Sequence, residues 1–134
     1  MPHHKVSIQY AHHRHDEFEA SELNDKDALL CFDEIDWPGE LKKAEELQRV
    51  SPTISIEGWG DRLIWVSACG SPGAIEFVSE YTFPGKKRML FGLIERDGTI
   101  GFDTQRFTIQ QAREALAAYI NRDHSRLEAL YNDA

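Results

Sequence analysis

From residue 53 to residue 107 apolar side chains recur at every second position, and a period of two belongs to strands rather than helices. Five candidate strands follow in order, TISIEGW, RLIWVSA, AIEFVSEYTF, KRMLFGLI and TIGFDTQRF. The separators are residues 58–61, residues 70–73 with Pro72, then Pro84-Gly85 and Asp97-Gly98, all of them turn chemistry. Asp97-Gly98, between GLIER and TIGF, is a hairpin signal because glycine accepts the positive φ that a primed turn requires. Connections this short force antiparallel neighbours, so the segment reads as a meander. One of its faces is apolar, for instance through Ile54 and Ile56, or through Ile75, Phe77 and Tyr81.

An apolar sheet face needs a cover, and residues 107–120, FTIQQAREALAAYI, supply one. Thr108 with Gln111 three residues later is a capping box, and Ala112, Ala115, Leu116, Tyr119 and Ile120 then form one apolar stripe. Gln110, Arg113, Glu114 and Asn121 fall on the opposite, wet face. The last stretch, HSRLEALYNDA, reads as a tail, either a short strand or a last turn of helix.

Ahead of the meander, KVSIQY alternates Val6, Ile8 and Tyr10 against Lys5, Ser7 and Gln9, as a half-buried first strand does. The polar stretch AHHRHDEFEASELND has no pattern and is expected to be loop. Ala28, Leu29, Phe32 and Ile35 then recur at helical spacing, with Asn24 or Asp25 available as N-cap. Trp37-Pro38-Gly39 breaks that helix, and Asp36 can cap a second one with Pro38 in its first turn and Leu41, Ala44 and Leu47 as its stripe. Ser51-Pro52 stops it. The expected fold is α+β: one domain over residues 1–134, an antiparallel β-meander of about five or six strands packed against a C-terminal helix, with short N-terminal helices.

At 134 residues, with 41% hydrophobic and 28% charged residues, such a chain can bury a core without a metal or disulfide. No apolar run is long enough to span a bilayer, and residues 1–10 carry no secretory pattern, so a cytoplasmic protein is expected. Cys31 and Cys69 stand far apart in no CxxC spacing and suit reduced, packed thiols. Formal net charge is −8, and its distribution says more than its size. Nine acids, Asp16, Glu17, Glu19, Glu22, Asp25, Asp27, Asp33, Glu34 and Asp36, face a single base, Lys26, within residues 16–36. Such a segment repels nucleic-acid phosphates and attracts a cationic partner, unless it is simply a solvated face.

Motifs for catalysis are missing. Gly70-Ser71-Pro72-Gly73 is a turn and lacks the strand-to-helix GxSxG elbow, and the glycines make no GxGxxG or GxxxxGK[ST] phosphate cradle. Asp33 with Asp36 and Glu76 with Glu80 are spaced to share a face, but nothing places either pair in the apolar surroundings that acid and base work needs. Lys86-Lys87-Arg88 reads as a solubilised hairpin tip. His3, His4, His12, His13 and His15 form a cluster beside Asp16 and Glu17. Imidazole with carboxylate suits zinc or nickel, yet these ligands share one polar loop, and no metal or cofactor is expected.

Three tryptophans remain. Trp65, inside LIWV, reads as core. Trp37 directly follows Asp36 at a helix break and Trp59 sits between two glycines, so each is either core or an exposed ring among acids. The second arrangement is the composition of a binding hot spot for a basic partner.

This layout resembles the small immunity proteins of bacterial polymorphic toxin systems, associated with contact-dependent inhibition or type VI secretion. The resemblance lies in an acidic helical N-terminal region, a Pro-led strand (SPTISI), an aromatic-rich strand (AIEFVSEYTF) and a closing helix (FTIQQAREALAAYI), followed by a tail in which Arg122 or Arg126 and then Tyr131 take the places of a basic and an aromatic residue. It implies a non-catalytic protein, a monomer or weak homodimer, that occludes the active site of a cognate and basic toxin domain. The nine acids with Trp37 and Trp59 are then the expected partner-binding residues. The rival expectation is a small-ligand protein or enzyme whose sheet and helix enclose a pocket lined by Trp59, Trp65, Phe77, Tyr81 and Phe91.

Overall fold

The computed structural model describes residues 3–14, 17–48, 50–89 and 94–132, with the backbone alone for 86–89, 94–99 and 105. The described residues form six strands and four helices, in the order β1 (His4–Gln9), β2 (Glu19–Leu23), α1 (Asp25–Glu34), α2 (Trp37–Leu47), β3 (Thr53–Trp59), β4 (Arg62–Ser71), β5 (Ala74–Met89), β6 (Ile94–Phe107), α3 (Ile109–Ile120) and α4 (His124–Asn132). The strands form one open antiparallel sheet in the order β2-β1-β3-β4-β5-β6, so β3 to β6 run as a meander, of four strands where five were expected. Among the described residues no helix is long and apolar enough to cross a membrane.

Alternation decides which face is dry. Val6, Ile54, Ile56, Ile64, Val66, Ala68, Phe77 and Tyr81 all point to one side and are buried there in a single core with residues from all four helices. On α3 the Thr108 capping box forms in full, and Ala112, Ala115, Leu116, Tyr119 and Ile120 are buried as their spacing requires. Asn24 caps α1 and Asp36 caps α2, each accepting from a backbone N–H of the first turn. The tail is helical: α4 buries Leu127, Leu130 and Tyr131, and the Tyr131 hydroxyl meets Ser79 Oγ at 2.7 Å within the core.

Three expectations fail. Residues 11–25 are not all loop, because EASEL forms β2, an edge strand paired with β1 from His4↔Leu23 to Ile8↔Glu19. Its side chains are almost wholly exposed, so no apolar alternation announces it. Neither Pro84-Gly85 nor Asp97-Gly98 turns the chain: Pro84 lies opposite Thr99, Gly85 opposite Gly98 and Lys86 opposite Asp97, inside a ladder that runs on to Met89↔Ile94. KRMLFGLI is therefore not one strand but holds the end of β5, the start of β6 and residues 90–93 between them. The last β5 residue paired with β4 is Thr82, and Pro84 stands beyond it, where a residue without an N–H is tolerated. Trp65 is not core; it stands half-buried on the helix-free face, opposite Ser55 and Glu80.

Buried tyrosines make the core sensitive to alkali. Burial pushes Tyr119 up to about 12 from 10.0, and burial likewise pushes Tyr131 well above its ordinary value. Between those two values the unfolded chain releases the Tyr119 proton while the folded chain keeps it, so the folded state binds more protons and stability must fall as pH rises. Urea midpoints should decline steadily over that window, and Tyr119→Phe should flatten the decline. A midpoint independent of pH there would mean that Tyr119 is not buried as described.

Candidate partner-binding surface

The acids of the N-terminal half are sorted by the fold into three groups. Some are used up locally. Asp25 Oδ1 lies 2.6 Å from Nε2 of the buried His4, and Asp33 takes both Nε and Nη2 of Arg113, at 2.8 and 3.0 Å. Others point elsewhere: Glu22 sits on β2 opposite Lys5, Asp27 is exposed in the first turn of α1, and Glu17 accepts from the Arg14 N–H at 2.8 Å in the loop before β2. Asp16 lies outside the described residues.

The third group converges. Glu19 at the start of β2, Glu34 at the end of α1 and Asp36 at the cap of α2 line one cleft of about 420 Å³, together with Tyr10, His12 and Glu40. Glu40 is the member that sequence reading missed. Placed one helical turn after Asp36, it is 6% exposed and accepts from the Ala11 N–H at 3.3 Å. The i, i+4 spacing of Asp36 and Glu40 was the available signal. Lys43 is the one cation lining the cleft among the described residues; its Nζ lies 3.5 Å from Glu40 and is largely exposed, which makes it weak compensation. The negative field registers on neighbours: burial and then Glu19, ahead of Glu40 and Glu34, push the Tyr10 hydroxyl up. Burial, then Glu34 and Asp27, raise the Cys31 thiol, which favours its protonated form.

A second, more apolar groove of about 330 Å³ adjoins the first. Phe32, Ile35, Trp37, Pro38 and Ile109 line it, the Asp33–Arg113 pair flanks it, and Ile109 is 46% exposed. Ile35 and Asp36 line both depressions, so the α1–α2 elbow is their shared wall. Trp37 is here, but not as an exposed anchor. At 2% exposure it lies against Phe32 and Phe77 and donates its indole N–H to the Phe32 carbonyl, so it supports the groove from beneath. Trp59 lines neither depression and is half-buried against Tyr81 and Tyr119.

Two other expectations can be placed. His12 and His13 lie with Glu19, their ligating atoms within 4.8 Å of one another, while His15 falls outside the described residues and His4 is buried apart from them on β1. The His13 Nδ1 accepts the Tyr10 N–H at 2.9 Å, which puts the neutral ring's proton on Nε2, the nitrogen 3.8 Å from Glu19. That is the tautomer of a carboxylate contact, since a metal on Nε2 needs the proton on the other nitrogen. Of the residues named for a sheet-and-helix pocket, Phe77 and Tyr81 are wholly buried, Trp65 stands on the other face of the sheet, and Phe91 lies outside the described residues.

The fold and this surface define an open antiparallel sheet with helices on one side and an acidic elbow at its N-terminal end. Neither protein-family models, nor curated proteins, nor solved structures gave a match to the chain.

Proposed function

We propose that this chain is a non-catalytic immunity protein that captures a basic toxin domain at the α1–α2 elbow and occludes its active site. The observation that carries the reading is the convergence of Glu19, Glu34, Asp36 and Glu40 on one cleft, weakly compensated by Lys43, beside an apolar groove with which it shares a wall. An arginine or lysine of the partner enters the cleft, and an apolar side chain next to it fills the groove. Like charges lining one cleft raise the local potential, which steers a cationic partner and raises its association rate by about 10² to 10³ at low salt. The apolar groove governs the dissociation rate, because a desolvated anchor must be pulled out for the complex to part.

The reading frame beside this one supplies the test. A large secreted protein encoded there, with its C-terminal domain co-produced with this chain, should become harmless to the host cell. Glu19→Lys with Glu34→Lys, both on exposed side chains, should lower the association rate about tenfold or more and remove most of its dependence on ionic strength. A metabolic operon in that position, or an association rate flat in salt for the unaltered chain, would defeat the proposal.

A further inference from the structure

A cluster of polar and aromatic side chains, none of which lines either depression at the elbow, lies where the β3–β4 turn meets α3 and α4. Gly60 (φ 59°) and Asp61 make a two-residue turn, and a bulge between Glu57 and Trp59 brings Trp59 opposite Arg62 on the helix-covered face. The Arg62 guanidinium carbon lies 4.1 Å from the Trp59 ring centroid and 6.0 Å from that of Phe83. Its Nη1 donates to the Tyr81 hydroxyl and lies 3.2 Å from Nδ1 of His124, the first residue of α4. The Tyr81 hydroxyl is 2.9 Å from that same imidazole nitrogen, and the Tyr119 hydroxyl donates to the Arg62 carbonyl at 2.6 Å.

Among the described residues this guanidinium has no counter-ion. Arg113 holds Asp33 and Arg126 holds Glu114, but no carboxylate among the described residues pairs with Arg62, in a protein with 23 acids and 15 bases. Asp123, beside His124 in the chain, is engaged by the Arg126 N–H. Nε and Nη2 of Arg62 have no protein acceptor among the described residues either. A half-buried cation against aromatic rings has lost hydration, and the face of Trp59 returns only part of that cost. The two atoms left over are one edge of the planar fork, whose geometry matches two oxygens of one anion. With Nδ1 accepting, neutral His124 carries its proton on Nε2 and adds a further donor.

We propose that Arg62 and His124, backed by Trp59, form a recognition site for one oxyanion group, a phosphate or a carboxylate. The site is independent of the elbow and of the toxin reading. Arg62 and His124 are both half-buried, so an anion reaches them from solvent, while the Tyr81 hydroxyl holds the fork and the Tyr119 hydroxyl fixes the Arg62 backbone from the core side.

The test is a titration of the full chain with inorganic phosphate and, separately, with acetate, at ionic strength fixed with sodium chloride, followed by the amide and indole N–H resonances. Saturable shifts confined to Trp59, Arg62 and His124 are expected, with half-saturation at roughly millimolar anion. Whichever anion produces them identifies the group as phosphate or carboxylate. Arg62→Lys, which keeps the charge and loses the fork, should weaken binding at least about tenfold. Arg62→Gln should abolish it, with a cooperative urea transition showing that the variant folds, and His124→Asn gives a second route to weaker binding should Arg62→Gln not fold. Shifts that persist in Arg62→Gln, or no saturable response to either anion, would overturn the proposal and leave Arg62 as a packing residue.

Discussion

Trp37→Ala is expected to lower unfolding free energy by about 3–5 kcal/mol, read as a fall in the urea midpoint with little change in slope. The indole is 2% exposed, lies 5.2 Å from the Phe32 ring and meets Phe77 edge-on at 5.1 Å, so its removal leaves a cavity walled by two aromatic rings. Its N–H donates to the Phe32 carbonyl at 3.2 Å. That carbonyl belongs to the last turn of α1, where no later helical N–H is available to it, so the second residue run of the elbow satisfies the end of the first. Trp37→Phe keeps most of the ring volume and loses the hydrogen bond, and should cost much less than the alanine variant, on the order of 1 kcal/mol for the bond itself. The comparison also separates support from contact. Because Trp37 is beneath the groove, Trp37→Phe should leave the association rate of a basic partner unchanged, whereas a surface anchor would not. A loss under about 1 kcal/mol for Trp37→Ala would show that the elbow is not built on this ring.

Sequence reading recovered what local chemistry fixes and missed what pairing fixes. The Thr108–Gln111 box and the stripe behind it are local, since both depend on residues within a few turns of one helix, and α3 forms as they require. The caps of α1 and α2 at Asn24 and Asp36 are local in the same sense. Asp97-Gly98 is also local as a turn signal, but it was outweighed: twelve paired positions join β5 to β6, and a turn at residue 97 would give up the outer part of that ladder. The β2 strand had no signal of its own, because an edge strand with both faces wet shows no apolar alternation and takes its register from β1.

The tryptophans show how a rule can be available and still be misapplied. Ile64 and Val66 flank Trp65 and are both fully buried, so strict alternation turns Trp65 to the opposite face. Reading LIWV as a continuous apolar run concealed that parity. Trp37 was open between core and an exposed ring beside Asp36, and the core reading holds: as the first residue of a capped helix it tucks inward while Asp36 stays outside. At the elbow the acids were legible as composition alone. Which four of them share a cleft depends on how β2 and the two helices meet, and Glu40 joins only because α2 turns it inward against Ala11.

The same dependence on position makes Gly58→Ala the second large effect, expected at about 2–4 kcal/mol from backbone strain and overpacking together. Gly58 has φ 149°, a conformation that side-chain-bearing residues rarely adopt, and it sits in the bulge between Glu57 and Trp59. A Cβ there would stand 2.8 Å from both the His3 carbonyl oxygen and His4 Nδ1, closer than either contact permits. His4 cannot easily yield, being fully buried with its other ring nitrogen 2.6 Å from Asp25. The bulge also advances the register by one residue, which puts Trp59 rather than Gly58 across from Arg62. Straightening it would carry Trp59 away from the guanidinium and leave Arg62 with only the more distant Phe83 ring and no carboxylate partner among the described residues. Gly58→Ala should therefore act at two sites at once, lowering the urea midpoint and weakening anion binding at Arg62, while a partner's association rate at the elbow stays as it was. If the variant is destabilised but its phosphate or acetate titration is unaltered, the bulge is a packing feature and not the element that places Trp59 over Arg62.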